Sequence, residues 1–114
     1  MLEIQTRIET WPIKEYDAVR IWRQATTQQA FGRLYNKSSG ARCAIGLLGG
    51  HYYIATEKFG IPDDDGEVAR CPTCGKKRPI GVNMVTHWND VHEYTFQQIA
   101  DLAEAYPHLV FNDA

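Results

Sequence analysis

At 114 residues the chain has room for one core of ordinary size. Its 44% apolar and 23% charged residues are those of a globular protein and exclude a disordered chain or a collagen-like repeat. Its longest weakly polar stretch, Cys43 to Gly50, falls far short of the roughly 20 residues that span a bilayer. Three cysteines, with Glu3, Arg7 and Glu9 where a secretory signal would be apolar, point to a reducing, cytoplasmic location.

The formal net charge of −2 hides an uneven distribution. Asp63, Asp64, Asp65 and Glu67 form an acidic run, and Arg70, Lys76, Lys77 and Arg78 answer it. Beyond residue 80 there are Asp90, Glu93, Asp101, Glu104 and Asp113 but no Lys or Arg. A solvated loop with mutually attracting arms accounts for the paired runs as well as a binding surface does.

In chain order, Thr10 is a capping residue, Pro12 suits a first helical turn, and Ala18, Trp22 and Ala25 recur at helical spacing, which predicts a helix from Trp11 to Gln29. Asn36 to Gly40, rich in Ser, Asn and Gly, reads as a turn. Ile45, Leu48, Tyr52, Ala55 and Phe59 then step by three and four as one helix face would. Gly46, Gly49 and Gly50 oppose that reading, at about 1 kcal/mol each in a helix interior, so the element runs through or breaks at Gly49-Gly50. Gly60 to Ala69, with Pro62, the aspartates and Gly66, reads as an exposed loop. Gly81 to Val91 is a further helix candidate. Thr95, with Gln98 three residues on, forms a capping box for a helix whose stripe is Phe96, Ile99, Ala103 and Tyr106, ended by Pro107. No internal repeat or heptad run is present.

These readings predict a mainly α, small single-domain helical fold over residues 1–114 with a zinc-knuckle loop, in which a short β-hairpin is an option. Residues 11–59 form the helical part, 60–70 the acidic loop, 71–92 a zinc-finger-like segment and 95–106 the C-terminal helix.

The zinc expectation rests on Cys71-Pro72-Thr73-Cys74-Gly75. Two thiols two residues apart grip one metal, and Gly75 permits the tight turn behind them. Zinc takes four tetrahedral ligands from thiolate and imidazole, and His87 and His92 follow at two-Cys, two-His spacing. Met84 fits the apolar position three residues before the first His, whereas Gly75 to Arg78 lacks the aromatic that fingers usually carry there. Residues five apart on a regular α-helix point about 140° away from each other, so His87 and His92 need an interruption between them. Asn89-Asp90 is the expected break, because short polar side chains compete for backbone hydrogen bonds. Cys-x-x-Cys also serves dithiol oxidoreductases, but there it belongs early in a strand-helix-strand unit rather than after an acidic loop. Cys43, beside Ala44, Ile45 and Leu47, reads as a buried free thiol.

Two segments carry a resemblance. Arg42-Cys43-Ala44-Ile45-Gly46-Leu47-Leu48, followed by Trp88-Asn89-Asp90 and Thr95-Phe96-x-x-Ile99-Ala100-Asp101, is similar to a loose group of small uncharacterised bacterial and bacteriophage proteins. These share an Arg-Cys-Ala-x-Gly-x-Leu helix and a later Asn-Asp turn before a Ser/Thr-capped helix. The resemblance covers about half the chain and implies a small helical fold without supplying an activity. The Cys71 to Gly75 knuckle is not part of that pattern, and some members carry histidines beside Asn-Asp with no cysteine pair. If His87 and His92 served packing instead, a metal would need Cys43, His51 or His108.

The expected function is a zinc-stabilised binding protein acting on a protein partner. The alternative is a nucleic-acid-binding finger contacting phosphates through Arg70, Lys76, Lys77 and Arg78. Major-groove reading is disfavoured, because the helix candidate Gly81 to Val91 has no Lys or Arg. Catalysis is not expected: a two-Cys, two-His zinc has no open position, and His87, Asn89 and His92 lie too close together for a His-Asn-His nuclease. No membrane partner is expected.

Overall fold

The computed structural model describes residues 17–49, 61 and 67–111. Among these residues four α-helices and a short sheet occur: α1 (Asp17–Gln24), α2 (Ala44–Gly49), β1 (Val68–Arg70), β2 (Lys77–Pro79), α3 (Val82–Thr86) and α4 (Phe96–Ala105). A π-helical turn, His87–Val91, continues α3, and a 3-10 turn, Pro107–Leu109, follows α4. Strands β1 and β2 pair antiparallel as a hairpin, so the fold combines helices with a two-stranded sheet.

Helix α1 places Ala18, Val19 and Trp22 on one face, and all three are buried. It packs against α4, where Ala100 and Ala103 leave room for close approach and Ile99 is fully buried. At the end of α1 the Gln97 amide donates to the carbonyls of Trp22 (3.3 Å), Arg23 (3.3 Å) and Ala25 (3.0 Å), satisfying acceptors that a helix end leaves open. Arg23 also reaches Asp101 at 2.8 Å and Glu104 at 2.6 Å on the exposed side. Ile45, Leu48, Met84, Val85 and Trp88, all at 0% exposure, join Trp22 and Ile99 in one core, each worth roughly 1.5–3 kcal/mol on burial.

The Arg-Cys-Ala-x-Gly-x-Leu segment has a physical explanation at nearly every position. The Arg42 backbone donates to Gln28 O (2.9 Å) and accepts from Ala30 N (2.8 Å). Its guanidinium lies 4.5 Å from the centre of the Tyr35 ring. Cys43 precedes α2 and accepts the Gly46 N–H on its sulfur at 3.3 Å, acting as a cap. The Ala44 carbonyl accepts the Trp22 indole N–H at 2.8 Å. Gly46 is required by close approach, since a Cβ there would lie 2.0 Å from the Leu34 carbonyl oxygen.

Several expectations need correction. The first helix ends at Gln24 rather than Gln29. Thr26 and Thr27 are poor helix formers, and Gln29 instead pairs with Arg42 in a parallel bridge while its amide donates to Asn89 and to Tyr94 O. Its predicted start, Trp11 to Tyr16, lies outside the described residues, as do Tyr52, Ala55 and Phe59. The expected 60–70 loop is strand from Val68, and Ile61 is fully buried in the core. The acidic residues Asp63 to Asp65 lie outside the described residues. The capping box of α4 is present, with Thr95 Oγ1 accepting Gln98 N at 3.1 Å and Gln98 Oε1 accepting Thr95 N at 2.9 Å. Its buried stripe is Phe96, Ile99, Ala100 and Ala103. Tyr106 leaves that stripe, because it follows the last helical residue with φ −131° and is 39% exposed.

Candidate metal centre

The hairpin builds the first half of the site. Register Ala69↔Arg78 and Arg70↔Lys77 brings the chain to Cys71 at the end of β1. Cys71 N then donates to Lys76 O at 2.8 Å, and Gly75 N donates to Cys71 O at 2.8 Å. The second bond demands a left-handed residue, which Gly75 supplies at φ +79°. Arg70 Nη1 donates to the Gly75 carbonyl at 2.9 Å and ties the turn to its strand. The resulting loop carries Cys71, 1% exposed, below an exposed Cys74.

The second half comes from the helix after β2, where the structure differs from expectation in an instructive way. The chain does not break at Asn89-Asp90. It widens, and His92 N donates to His87 O at 3.3 Å across five residues. In a π turn residues i and i+5 are joined by the backbone bond itself and stand one above the other, so the histidine separation that defeats an α-helix becomes an alignment. The two imidazoles meet edge to face with centroids 4.7 Å apart, and Tyr94 stacks on the far side of His92 at 4.9 Å. Glu93 closes the helix at φ +55°, and Tyr94 N reaches back to Trp88 O at 3.1 Å.

Together the halves place one donor atom from each of Cys71, Cys74, His87 and His92 within 4.8 Å of one another. Cys74 Sγ lies 3.4 Å from His87 Nε2, and Cys71 Sγ lies 3.7 Å from His92 Nε2. Zinc bonds of about 2.3 Å to sulfur and 2.0–2.1 Å to nitrogen give a sulfur-to-nitrogen edge of about 3.6 Å in a tetrahedron. These contacts therefore have the spacing of tetrahedron edges, and the four residues lie close enough to hold a metal ion.

Electrostatics prepare the same donors. Burial alone would raise the Cys71 thiol, but hydrogen bonds from the Thr73 hydroxyl and from the Thr73 and Cys74 backbone N–H groups outweigh it. The Trp88 indole N–H adds a smaller share without completing a hydrogen bond, and the thiol falls to about 5. Cys71 is thus a thiolate at neutral pH, the form a metal requires. His87 is held below its ordinary value mainly by burial, with the positive fields of His92 and Arg78 in the same direction and Cys71 opposing. A neutral imidazole is the ligating form.

The reserve candidates do not join this cluster. Cys43 is buried, its thiol is pushed up by desolvation, and its sulfur is occupied with the Gly46 N–H. His108 sits exposed on the 3-10 turn, and His51 lies outside the described residues.

Asn89, read from the sequence as a break, is instead the hub that holds the π turn from behind. At 0% exposure, its Oδ1 accepts from Gln29 Nε2 (2.8 Å) and Ala44 N (3.0 Å). Its Nδ2 donates to Ala30 O (2.9 Å) and Asp90 Oδ1 (2.7 Å), so the amide is fully paired. The Asn-Asp dipeptide was a visible signal, but its partners lie about sixty and forty-five residues away in the chain, beyond any local pattern. Asp90 Oδ1 also accepts from Gly32 N at 2.9 Å.

No protein-family model, no curated protein and no solved structure matches this chain. Among the described residues no helix is long and apolar enough to cross a membrane.

Proposed function

We propose that the protein is a small binding module that carries one Zn²⁺ on Cys71, Cys74, His87 and His92 and acts by engaging another protein. The observation that carries this reading is the convergence of two sulfur and two nitrogen donors within 4.8 Å. Four protein ligands complete the zinc tetrahedron, which leaves no position for water or substrate and gives the metal a structural role rather than a catalytic one.

The binding face we assign is the hairpin. Arg70, Lys76 and Lys77 are exposed around the knuckle, and among the described residues none of the three forms a salt bridge. An acidic protein surface is the matching partner. A nucleic-acid phosphate backbone is the second reading, favoured by the same cations. Against it, the helical segment that follows carries no Lys or Arg, so binding would be through phosphates alone and without base readout.

Elemental analysis of protein purified without chelator should give one zinc per chain. Cys71→Ser and the double change His87→Ala with His92→Ala should each abolish stoichiometric metal. A metal-free parent protein refutes the zinc reading, and full zinc retention in the double histidine variant refutes the ligand set.

A further inference from the structure

The site is unevenly buried, and that asymmetry points beyond a purely structural metal. Cys71 is 1% exposed and backed by Trp88 at 0% exposure, whereas Cys74, three residues on in the same turn, is exposed. The two sulfurs lie within 4.8 Å of each other. Oxidation-sensing cysteines are solvent-accessible, in thiolate form and poised beside a second cysteine that resolves the first product. A metal-bound cysteine is a thiolate by necessity, and this turn supplies both members of the pair.

We propose that Cys74 and Cys71 form a peroxide-sensitive switch: a hydroperoxide converts the zinc-bound pair to a disulfide, expels the metal, and loosens the basic hairpin from the helix. This inference rests on the zinc reading above. The Cys74 thiolate attacks a terminal peroxide oxygen, the O–O bond breaks, and the departing hydroxide, or alkoxide from an organic hydroperoxide, takes a proton to become water or the alcohol. Cys74 is now a sulfenic acid and no longer a metal-binding anion. The Cys71 thiolate attacks that sulfur, the S–O bond breaks, and the hydroxide leaves with a second proton as water. Two thiolates have lost two electrons, the peroxide has gained them, and Zn²⁺ departs with its charge unchanged. Cys43 stays out of the reaction, being buried with its sulfur committed to the Gly46 N–H.

The mechanical consequence follows from the connections. The sulfurs belong to the hairpin turn and the imidazoles to the π turn, so the metal links two elements that otherwise meet at the site through Cys71 packed in the core with Trp88 and through Thr73 Oγ1, 3.5 Å from His92 Nε2. Its loss leaves His87 and His92 on a helix still anchored by Asn89, while the knuckle, exposed from Pro72 to Lys77, loses its coordination to that helix and keeps only the packing of Cys71 and the weak Thr73 contact. Binding through Arg70, Lys76 and Lys77 then loses its fixed geometry.

The test uses the zinc-loaded full chain, hydrogen peroxide near stoichiometric amount, and a chromogenic zinc indicator. Cleavage after Arg70 and Lys76 isolates both cysteines on a six-residue peptide, Cys71 to Lys76, separate from Cys43. The expected result is release of one zinc per chain, loss of two hydrogens from that peptide by mass, a reduced Cys43, and recovery of metal binding on adding dithiothreitol and zinc. Zinc retained with both thiols reduced under excess peroxide overturns the switch. So does release accompanied by sulfinic acid at Cys74, or by a disulfide to Cys43. A chain that holds no metal before peroxide is added refutes the zinc reading itself, whereas a loaded chain that keeps its metal refutes only the switch.

Discussion

The helical layer and the knuckle are held by different physics. Where α1 meets α4, Ala18, Trp22, Ile99, Ala100 and Ala103 are all at 0% exposure, and burial of apolar surface suffices to keep the helices together. In the hairpin Val68 is 55% exposed and Pro72 to Lys77 lie at the surface, and Cys71, Ala69 and Ile80 are its contacts with the core. A two-stranded hairpin is at best marginally stable alone in water. On the proposed zinc reading the donors that gather there supply the further attachment, since a structural zinc contributes an apparent 10–16 kcal/mol or so in finger peptides, on the scale of a whole domain's stability of about 5–15 kcal/mol. On that reading one small chain holds one region by packing and secures another by coordination.

The largest expected effect follows directly. Chelation of the metal should raise amide exchange first in residues 67–80, while α1 and α4 keep their protection, because opening free energies differ between regions held by different contacts. Trp88, fully buried and directed at Cys71, should report the change by fluorescence. Loss of protection spread evenly over α1 and α4 would break the comparison by making the metal the keystone of the entire core.

How much of this was legible in the sequence depends on the range of the interaction. The knuckle is local: Cys71, Cys74 and Gly75 specify a turn whose bonds all close within six residues. The α4 cap is also local, with Thr95 and Gln98 binding each other, and both were readable. The spacing of His87 and His92 was readable too, together with the conflict it poses for an α-helix. Its resolution was not, because a π turn has no residue signature of its own, and Glu93 at φ +55° is neither Gly nor Asn, the usual left-handed caps. The end of α1 was misplaced for the same reason. Gln29 lies beyond the helix and reaches Asn89 and Tyr94, partners sixty and sixty-five positions away, and tertiary bonds of that kind override local propensity.

Asn89 joins the two regions, and its substitution sharpens the contrast between them. Asn89→Ala leaves the Ala44 N–H and the Ala30 carbonyl without their partner, at about 1–3 kcal/mol for each buried group. A lowered denaturation midpoint is expected, of the order of 3 kcal/mol with zinc bound, together with weaker metal retention in a chelator competition, because the π turn that aligns the histidines is then held on one side only. A midpoint shift with unchanged zinc affinity would separate the helical core from the site and show that the metal alone sets the π geometry.

The smallest effect on stability is expected at the hairpin's charges, and that smallness is informative. Lys76 and Lys77 are exposed, and neither has a salt bridge among the described residues. Surface substitutions away from packing and capping usually change stability by no more than about 0.5 kcal/mol. The double change Lys76→Glu and Lys77→Glu should therefore leave the melting midpoint and zinc stoichiometry where they are. If the hairpin is a recognition surface, the same variant must lose binding to an acidic protein partner, since it replaces complementary charge with repulsion. Titration of parent and variant with random duplex DNA across a salt series separates the two classes of partner: phosphate binding weakens steeply as counterions are retained by the DNA, at a slope set by the number of contacts. A large drop in the melting midpoint would mean that these lysines pair with the acidic run Asp63 to Glu67. In that event the hairpin is held by charge as well as by metal, and its cations belong to the fold rather than to a partner.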